Sequence, residues 1–349
     1  MKEKFTIIIP THNKRSPLVE RLLEYYNNFP VNIIIEDGSV KPYKYKLNKN
    51  ISYFHYPKKD FIQRVQHALK ICKTKYVAIN QDDDFLIYSS LLKGKKFLDL
   101  NCNYSFVSGK NFYFEDFFNF VHLKKIYKDK MLKSIDNKNN INRLLSFFNS
   151  PQMLVASLFK KQHIKKNIDN FSKFRNKIIL NKKVIEEEMA FSLFMLSNYK
   201  YKYLDIAWQL RDRNVYLSQG SRNKYLSRPY LLVVDSDEYK KLYNTIKNIY
   251  KIKNNMVLDK SLKMYCIRPE VKISNFKAKL LFNFPNLFNI LRFINKVYRI
   301  VILEKIFVSK IDKQLINKIN KFEYNSFLFV LKKYKPIINK LALNKVINK

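Results

Sequence analysis

Two hydrophobic rhythms alternate along the first hundred residues. Residues 5–9 form a short β-branched run closed by Pro10, the pattern of a buried strand. Residues 16–27 then carry Leu18, Leu22, Leu23 and Tyr26 at helical spacing. Residues 31–35 are a second apolar run, ended by Glu36-Asp37-Gly38-Ser39, and Ile51–His55 is a third. Asp60 fits the N-cap of a helix whose Phe61, Val65, Ala68 and Leu69 share one face. Residues 76–80 are a fourth strand, followed at once by Gln81-Asp82-Asp83-Asp84-Phe85. Strand, helix, strand, helix in this order predicts parallel strands joined by crossover helices, an α/β domain.

Beyond residue 100 the rhythm loosens. Strands are predicted at 104–108, 153–159 and 203–206, and a strongly apolar helix with an acidic start at 184–198. Residues 115–149 are mixed, and 209–230, rich in Arg and Ser, read as a loop. From residue 236 onward the pattern is long, Lys-rich and helical. This gives an α/β domain over 1–235 and a basic, mainly helical extension over 236–349.

Composition narrows the chemistry. With 349 residues, 47% hydrophobic and 27% charged, the chain can bury a sizeable core. Only four glycines occur, and neither GxGxxG nor GxxxxGK[ST] is present, which removes the simplest Rossmann and P-loop readings. Cys72, Cys102 and Cys266 are odd in number and lack zinc-pair spacing, as suits a reducing compartment. The start has no signal-peptide pattern, and no run is long and apolar enough to span a membrane, so the expected location is cytoplasmic. The net charge of +39 asks for an anionic partner, although drift toward Lys-rich, Arg-poor composition explains the charge equally well.

Acidic residues are scarce, so their clustering carries information. Asp37 follows the second strand, and Asp82, Asp83 and Asp84 follow the fourth. Open parallel sheets bind ligands at the carboxyl ends of their strands, and alternating topology brings these two ends to one edge. Three adjacent carboxylates repel unless a cation sits among them. A hard divalent ion, Mn²⁺ or Mg²⁺, suits oxygen ligands, and it ordinarily binds phosphates as well. The competing reading is a solvated turn and helix cap.

The segments Thr6-Ile7-Ile8-Ile9-Pro10-Thr11-His12-Asn13, Ile33-Ile34-Ile35-Glu36-Asp37-Gly38-Ser39 and Thr74-Lys75-Tyr76-Val77-Ala78-Ile79-Asn80-Gln81-Asp82-Asp83-Asp84-Phe85 together resemble the family 2 glycosyltransferases. The resemblance implies a GT-A-type, Rossmann-like, mostly parallel sheet flanked by helices. It implies nucleotide contacts from Pro10, Thr11, Asn13, Asp37, Asp82 and Asp83. It further implies a DxD-type metal site at Asp82 and Asp84, with the register of the three aspartates open by one residue. His12 replaces the family's usual aromatic and Glu36 its usual Asp. The family's Ala-Arg-Asn helix segment has no clear counterpart; Arg64 or Lys70 lies in its region.

Sugar transfer also needs a base for the acceptor hydroxyl. Glu186-Glu187-Glu188 opens the apolar helix in a pattern similar to the family's Glu-Asp motif, giving Glu188 as base and Glu187 second. First-turn acids that complement the helix dipole are the alternative. Arg211 and Arg213 suit a clamp for a diphosphate or an anionic acceptor. In the tail, residues 287–303 form a basic stripe on an apolar cylinder, and 327–331 followed by Lys332-Lys333-Tyr334-Lys335 form a shorter one. Both fit an anionic membrane surface, or else burial against the catalytic domain. No nucleic-acid-binding signature is present, so nucleic acid is not expected as a partner.

The reading is therefore a metal-dependent transferase, inverting as the family resemblance implies. It moves a sugar from a UDP-linked nucleotide sugar to a glycan or lipid-linked acceptor at the inner face of the membrane. The alternatives are a nucleotidyltransferase-like enzyme, or a basic nucleic-acid-binding protein with a degenerate transferase core.

Overall fold

A computed structural model describes residues 5–13, 15–117, 120–126, 131–150, 152, 154–178, 187–212, 237–251, 256–266 and 319–347. Its centre is one nine-stranded sheet. Thr6–Thr11 (β1), Asn32–Asp37 (β2), Ile51–His55 (β3) and Tyr76–Ile79 (β4) pair in parallel in the order β3-β2-β1-β4. The crossovers include Ser16–Tyr26 (α1) and Phe61–Ile71 (α2). β1, β2 and β4 read as near-continuous apolar runs because both of their faces are covered.

Local chemistry explains the crossover helices. α1 has Pro in its first turn and buries Leu18, Val19, Leu22, Leu23, Tyr25 and Tyr26 on the sheet. α2 starts at the predicted cap: Asp60 Oδ1 accepts from Gln63 N at 3.0 Å, and Gln63 Oε1 accepts from Asp60 N at 3.0 Å. This reciprocal box satisfies two donors that the first turn would otherwise leave open.

Past β4 the sheet becomes mixed. Leu158–Lys160 (β8) pairs antiparallel with both β4 and Tyr104–Phe117 (β6). β6 runs parallel to Lys200–Asp212 (β9), and β9 is antiparallel to Asp84–Leu86 (β5). Phe120–Lys125 (β7) forms a hairpin with β6. Helices Tyr88–Leu100 (α3), Asn140–Asn149 (α4), Lys161–Ile178 (α5) and Glu187–Asn198 (α6) complete this half.

Two local expectations change here. The segment expected to be a strand at 153–159 starts its strand only at Leu158, because residues 155–157 turn first. The loop expected at 209–230 yields its first four residues, Gln209, Leu210, Arg211 and Asp212, to β9, and the first three pair with β5. The rest of that segment lies outside the described residues. Trp208, the single tryptophan, belongs to the core: it is fully buried and its Nε1 donates to Ala156 O at 2.7 Å.

The basic C-terminal part contributes core as well. Asp237–Tyr250 (α7) and Met256–Cys266 (α8) bury Tyr239, Leu242, Ile246, Tyr250, Leu258 and Leu262 in the cluster that holds α2, α4, α5 and α6. Lys321–Ile347 (α9) buries Phe327, Val330 and Leu331 with the residues of α1 and β5. The apolar face read as a short lipid-facing candidate is thus covered by protein, although Phe322 and Phe329 remain exposed. Residues 287–303 lie outside the described residues. Among the described residues no helix is long and apolar enough to cross a membrane.

Candidate active site

The parallel strands end in polar residues at one edge. Register places Thr11 of β1 opposite Asp37 of β2, and Asn80, just past β4, donates its N–H to Ile8 O at 2.9 Å. After β4 the chain reverses through Asn80–Asp84. Asn80 Nδ2 donates to Asp84 O at 2.8 Å, and Asp84 N donates to Gln81 O at 3.2 Å, so the aspartates sit on a tied turn. Thr11 Oγ1 donates to Asp82 Oδ2 at 2.8 Å, linking the ends of β1 and β4 directly. Asp37, Thr11 and the aspartate turn therefore share one edge.

Each carboxylate has its own cation or donor set. Asp82 receives a fork from Arg15: Nε to Oδ2 at 2.8 Å and Nη2 to Oδ1 at 2.6 Å. Arg15 Nη2 also reaches Asp83 Oδ2 at 2.7 Å. Asp84 turns into the body, where Oδ2 accepts from Gln209 Nε2 at 2.9 Å and lies 3.1 Å from Arg211 Nε; Oδ1 accepts from Asp212 N at 3.3 Å. Asp212 is in turn held by Arg21 Nη1 at 2.9 Å, while Arg21 Nη2 donates to Asp83 O at 3.1 Å. The Arg21 guanidinium lies over the rings of Phe85 and Phe114. Burial is the largest influence on Asp82 and raises its pKa to about 6 against the pull of Arg15; burial also pushes Asp84 up, against Arg211.

The base of the edge is equally organised. Asp37 is fully buried; Oδ1 accepts from Ser39 N at 2.8 Å and Oδ2 from Tyr53 OH at 2.7 Å. Tyr45 packs on Tyr53, and the charges of Asp37 and Asp82 both add to the burial that raises its pKa. Arg64 Nη1 donates to the carbonyls of Thr11 and, at 2.7 Å, Glu36. It lies so close to Gly38 that a Cβ there would stand 2.7 Å from Arg64 Cζ. Glu36, where the family more often has Asp, points away from the edge and pairs its Oε1 with His67 Nδ1 at 2.7 Å. His12 sits among Arg15, Arg64, Asp83 and Asp37; burial, followed by the two arginines, lowers its pKa, which keeps it neutral at pH 7. Asn13 adopts a left-handed φ of 40°, which asparagine tolerates, and the chain turns there before Arg15.

The expected site residues thus divide into three groups. Pro10, Thr11, Asn13, Asp37, Asp82, Asp83 and Asp84 all lie at or beside this edge, and Arg211 backs Asp84 from β9. Glu187 and Glu188 are the first residues of α6, and their side chains lie outside the described residues, as does Arg213. The third group was not anticipated: Arg15, Arg21, Gln209 and Asp212. Arg21 had a readable signal, a charge at the i+3 position from Leu18 on the apolar stripe of α1. Arg15 had none beyond nearness to Asn13.

Asp82 and Asp83 already share one cation, the Arg15 guanidinium, so their oxygens suit a divalent ion by chemistry and by orientation. Among the described residues no three His, Cys, Asp or Glu side chains form a ready metal cage. An ion here would complete its shell with water and phosphate oxygens, as Mg²⁺ commonly does.

Three comparisons bear on kinship. The chain is similar in structure to the crystal structure of S. aureus TarS 1-349 (TM-score 0.46, 15% identity, covering 78% of this chain and 74% of that one). It is also similar to TarS 1-349 in complex with UDP-GlcNAc (TM-score 0.49, 15% identity, 79% and 76%) and in complex with UDP (TM-score 0.43, 15% identity, 72% and 72%). No curated protein matches. Residues 6–166, which contain β1 to β8 and the aspartate turn, match the family model described as Glycosyl transferase family 2. This segment, just under half of the chain, is thus similar to a glycosyl transferase family 2 domain.

Proposed function

We propose that the chain transfers a sugar from a nucleoside-diphosphate sugar, UDP-linked, to a hydroxyl of a glycan or lipid-linked acceptor, with inversion at the anomeric carbon. The observation that carries this reading is the gathering of Asp37, Thr11 and the aspartate turn at one strand edge, with Arg15, Arg64 and Arg211 around them. Buried carboxylates beside guanidinium groups suit a ligand that has both a neutral polar base and an anionic diphosphate. Asp37 serves the nucleobase end. Of the expected metal pair, Asp82 is kept for Mn²⁺ or Mg²⁺ and Asp83 replaces Asp84, whose oxygens already meet Gln209, Arg211 and the Asp212 N–H and brace the turn from beneath.

The ion, when bound, supplies neutralising charge to the diphosphate leaving group. The chain's own part is to fix the donor and to exclude water. Asp37 and Thr11 orient the nucleoside, and Arg211 or Arg213 steadies the diphosphate or an anionic acceptor. Glu188, with Glu187 as the second choice, takes the proton of the acceptor hydroxyl. The helix they open packs Phe191 edge-on against Phe159 of β8, the neighbour of β4. The basic charge fits a peripheral place at the inner face of the cytoplasmic membrane.

A thermal-shift panel of nucleotides with and without Mn²⁺ tests the donor. A UDP-selective, Mn²⁺-dependent rise in Tm, absent in Asp82→Ala, is the expected result; equal response to all nucleotides, or none, refutes it. Flotation with anionic vesicles tests the membrane reading, which fails if the full chain stays with neutral and anionic vesicles alike.

A further inference from the structure

We propose that Arg15 is a built-in counter-cation of the aspartate turn, and that its displacement couples divalent-ion binding to diphosphate binding. The inference rests on the nucleotide-sugar reading above and adds a coupling to it. Arg15 differs from the other arginines of the site in what holds it. Arg64 is pinned by the carbonyls of Thr11 and Glu36. Arg21 is pinned by Asp212, by Asp83 O and by two aromatic faces. Among the described residues, the hydrogen bonds and ion pairs of the Arg15 guanidinium go to Asp82 and Asp83, and they take both oxygens of Asp82 and one of Asp83. Those are the oxygens a divalent ion would use.

The consequence is electrostatic. Arg15 is only 8% exposed, and Asp82 and Asp83 only 6% and 13%. An ion binding alone takes carboxylate oxygens from a guanidinium that cannot deprotonate, leaving a nearly buried cation short of anions beside His12, which Arg64 also faces. A diphosphate binding alone meets two carboxylates whose charge one arginine only partly cancels. When both arrive, the ion occupies the carboxylates and the released fork of Arg15 can engage phosphate oxygens bidentately. Each ligand thus raises the affinity for the other by the same factor.

Calorimetric titration of Mn²⁺, with and without saturating UDP, tests this without any turnover. For the wild type, Mn²⁺ alone should bind weakly, and UDP should tighten it by about tenfold or more. In Arg15→Gln, Mn²⁺ alone should bind about tenfold tighter than in the wild type, and the enhancement by UDP should shrink toward one. Arg15→Lys keeps a charge but cannot fork across Asp82, so its Mn²⁺ affinity should rise by about threefold; it decides the matter if Arg15→Gln does not fold. Unchanged or weaker Mn²⁺ binding in the variants, with UDP still bound, overturns the coupling and leaves the donor reading standing. Failure of the wild type to bind UDP under any condition overturns both.

Discussion

Only twelve of the 67 basic residues are arginine, and that disparity is informative at the scale of single residues. Arg15, Arg21, Arg64 and Arg143 are all buried, and the first three border the aspartate edge. Lysine, a point charge on a flexible stem, cannot replace a planar fork that bridges two oxygens. Arg21→Lys should therefore lose about 3 kcal/mol or more in urea unfolding, since Asp212 would keep a buried charge without its fork. Gly38→Ala should lower stability by about 1–3 kcal/mol and weaken UDP binding, because clearing the new methyl would draw Arg64 away from the Thr11 and Glu36 carbonyls that hold it. Asp82 supplies the pH test. Its pKa rises from 3.8 to about 6 on folding, so the native state holds the extra proton between those values. Stability from this group is present below about pH 4 and falls as pH rises through 6, by on the order of 1–3 kcal/mol. Without metal or nucleotide, the Tm of wild type relative to Asp82→Asn should drop across that window; a flat difference would contradict the assignment.

At the scale of elements, the decisive contact joins helices more than two hundred residues apart. Glu323, in the first turn of α9, is 2% exposed. Its carboxylate accepts from Tyr25 OH at 2.8 Å and from the Tyr88 and Ser89 N–H groups, the latter at 3.2 Å. α3 has no side-chain cap of its own at Ile87, so α9 provides one. Phe327, one turn further along, packs against Phe85 and Phe114 behind the aspartate turn. Glu323→Ala should cost about 2–4 kcal/mol, and Glu323→Gln should recover part of the loss by still accepting hydrogen bonds. Equal loss in both, measured by chemical denaturation, would show that packing and not capping is at stake.

Across the whole molecule, the three described C-terminal helices flank the sheet. α7 and α8 complete the cluster on the α2 side, and α9 closes the α1 side. A chain ended after residue 318 should uncover Phe85, Phe114 and the apolar face of α1. The expected outcome is a lower Tm and dye-binding apolar surface, with weaker UDP binding as a consequence. Unchanged Tm after that truncation would mean the helix is an independent arm.

The strand-helix alternation, the ends of β1, β2 and β4, and the gathering of acids after them were legible in the chain by itself. These features are local: a buried parallel strand must be a short apolar run, and polar residues begin where the sheet ends. The β5–β9 pairing and the deep burial of Asp84 were not legible, because three residues, Asp84–Leu86, form a strand only when Gln209–Arg211 arrives from far along the sequence. The partners of Asp82 and Asp83 were likewise hidden: Arg15 is 67 residues from Asp82, and nothing in its neighbourhood specifies that fork. The lysine-rich helices fit lipid or protein equally for the same reason, since an apolar stripe has the same spacing whether lipid or another helix covers it. Tertiary structure chose the covering for α9 by supplying Phe85 and Phe114 to Phe327, and Tyr25 to Glu323.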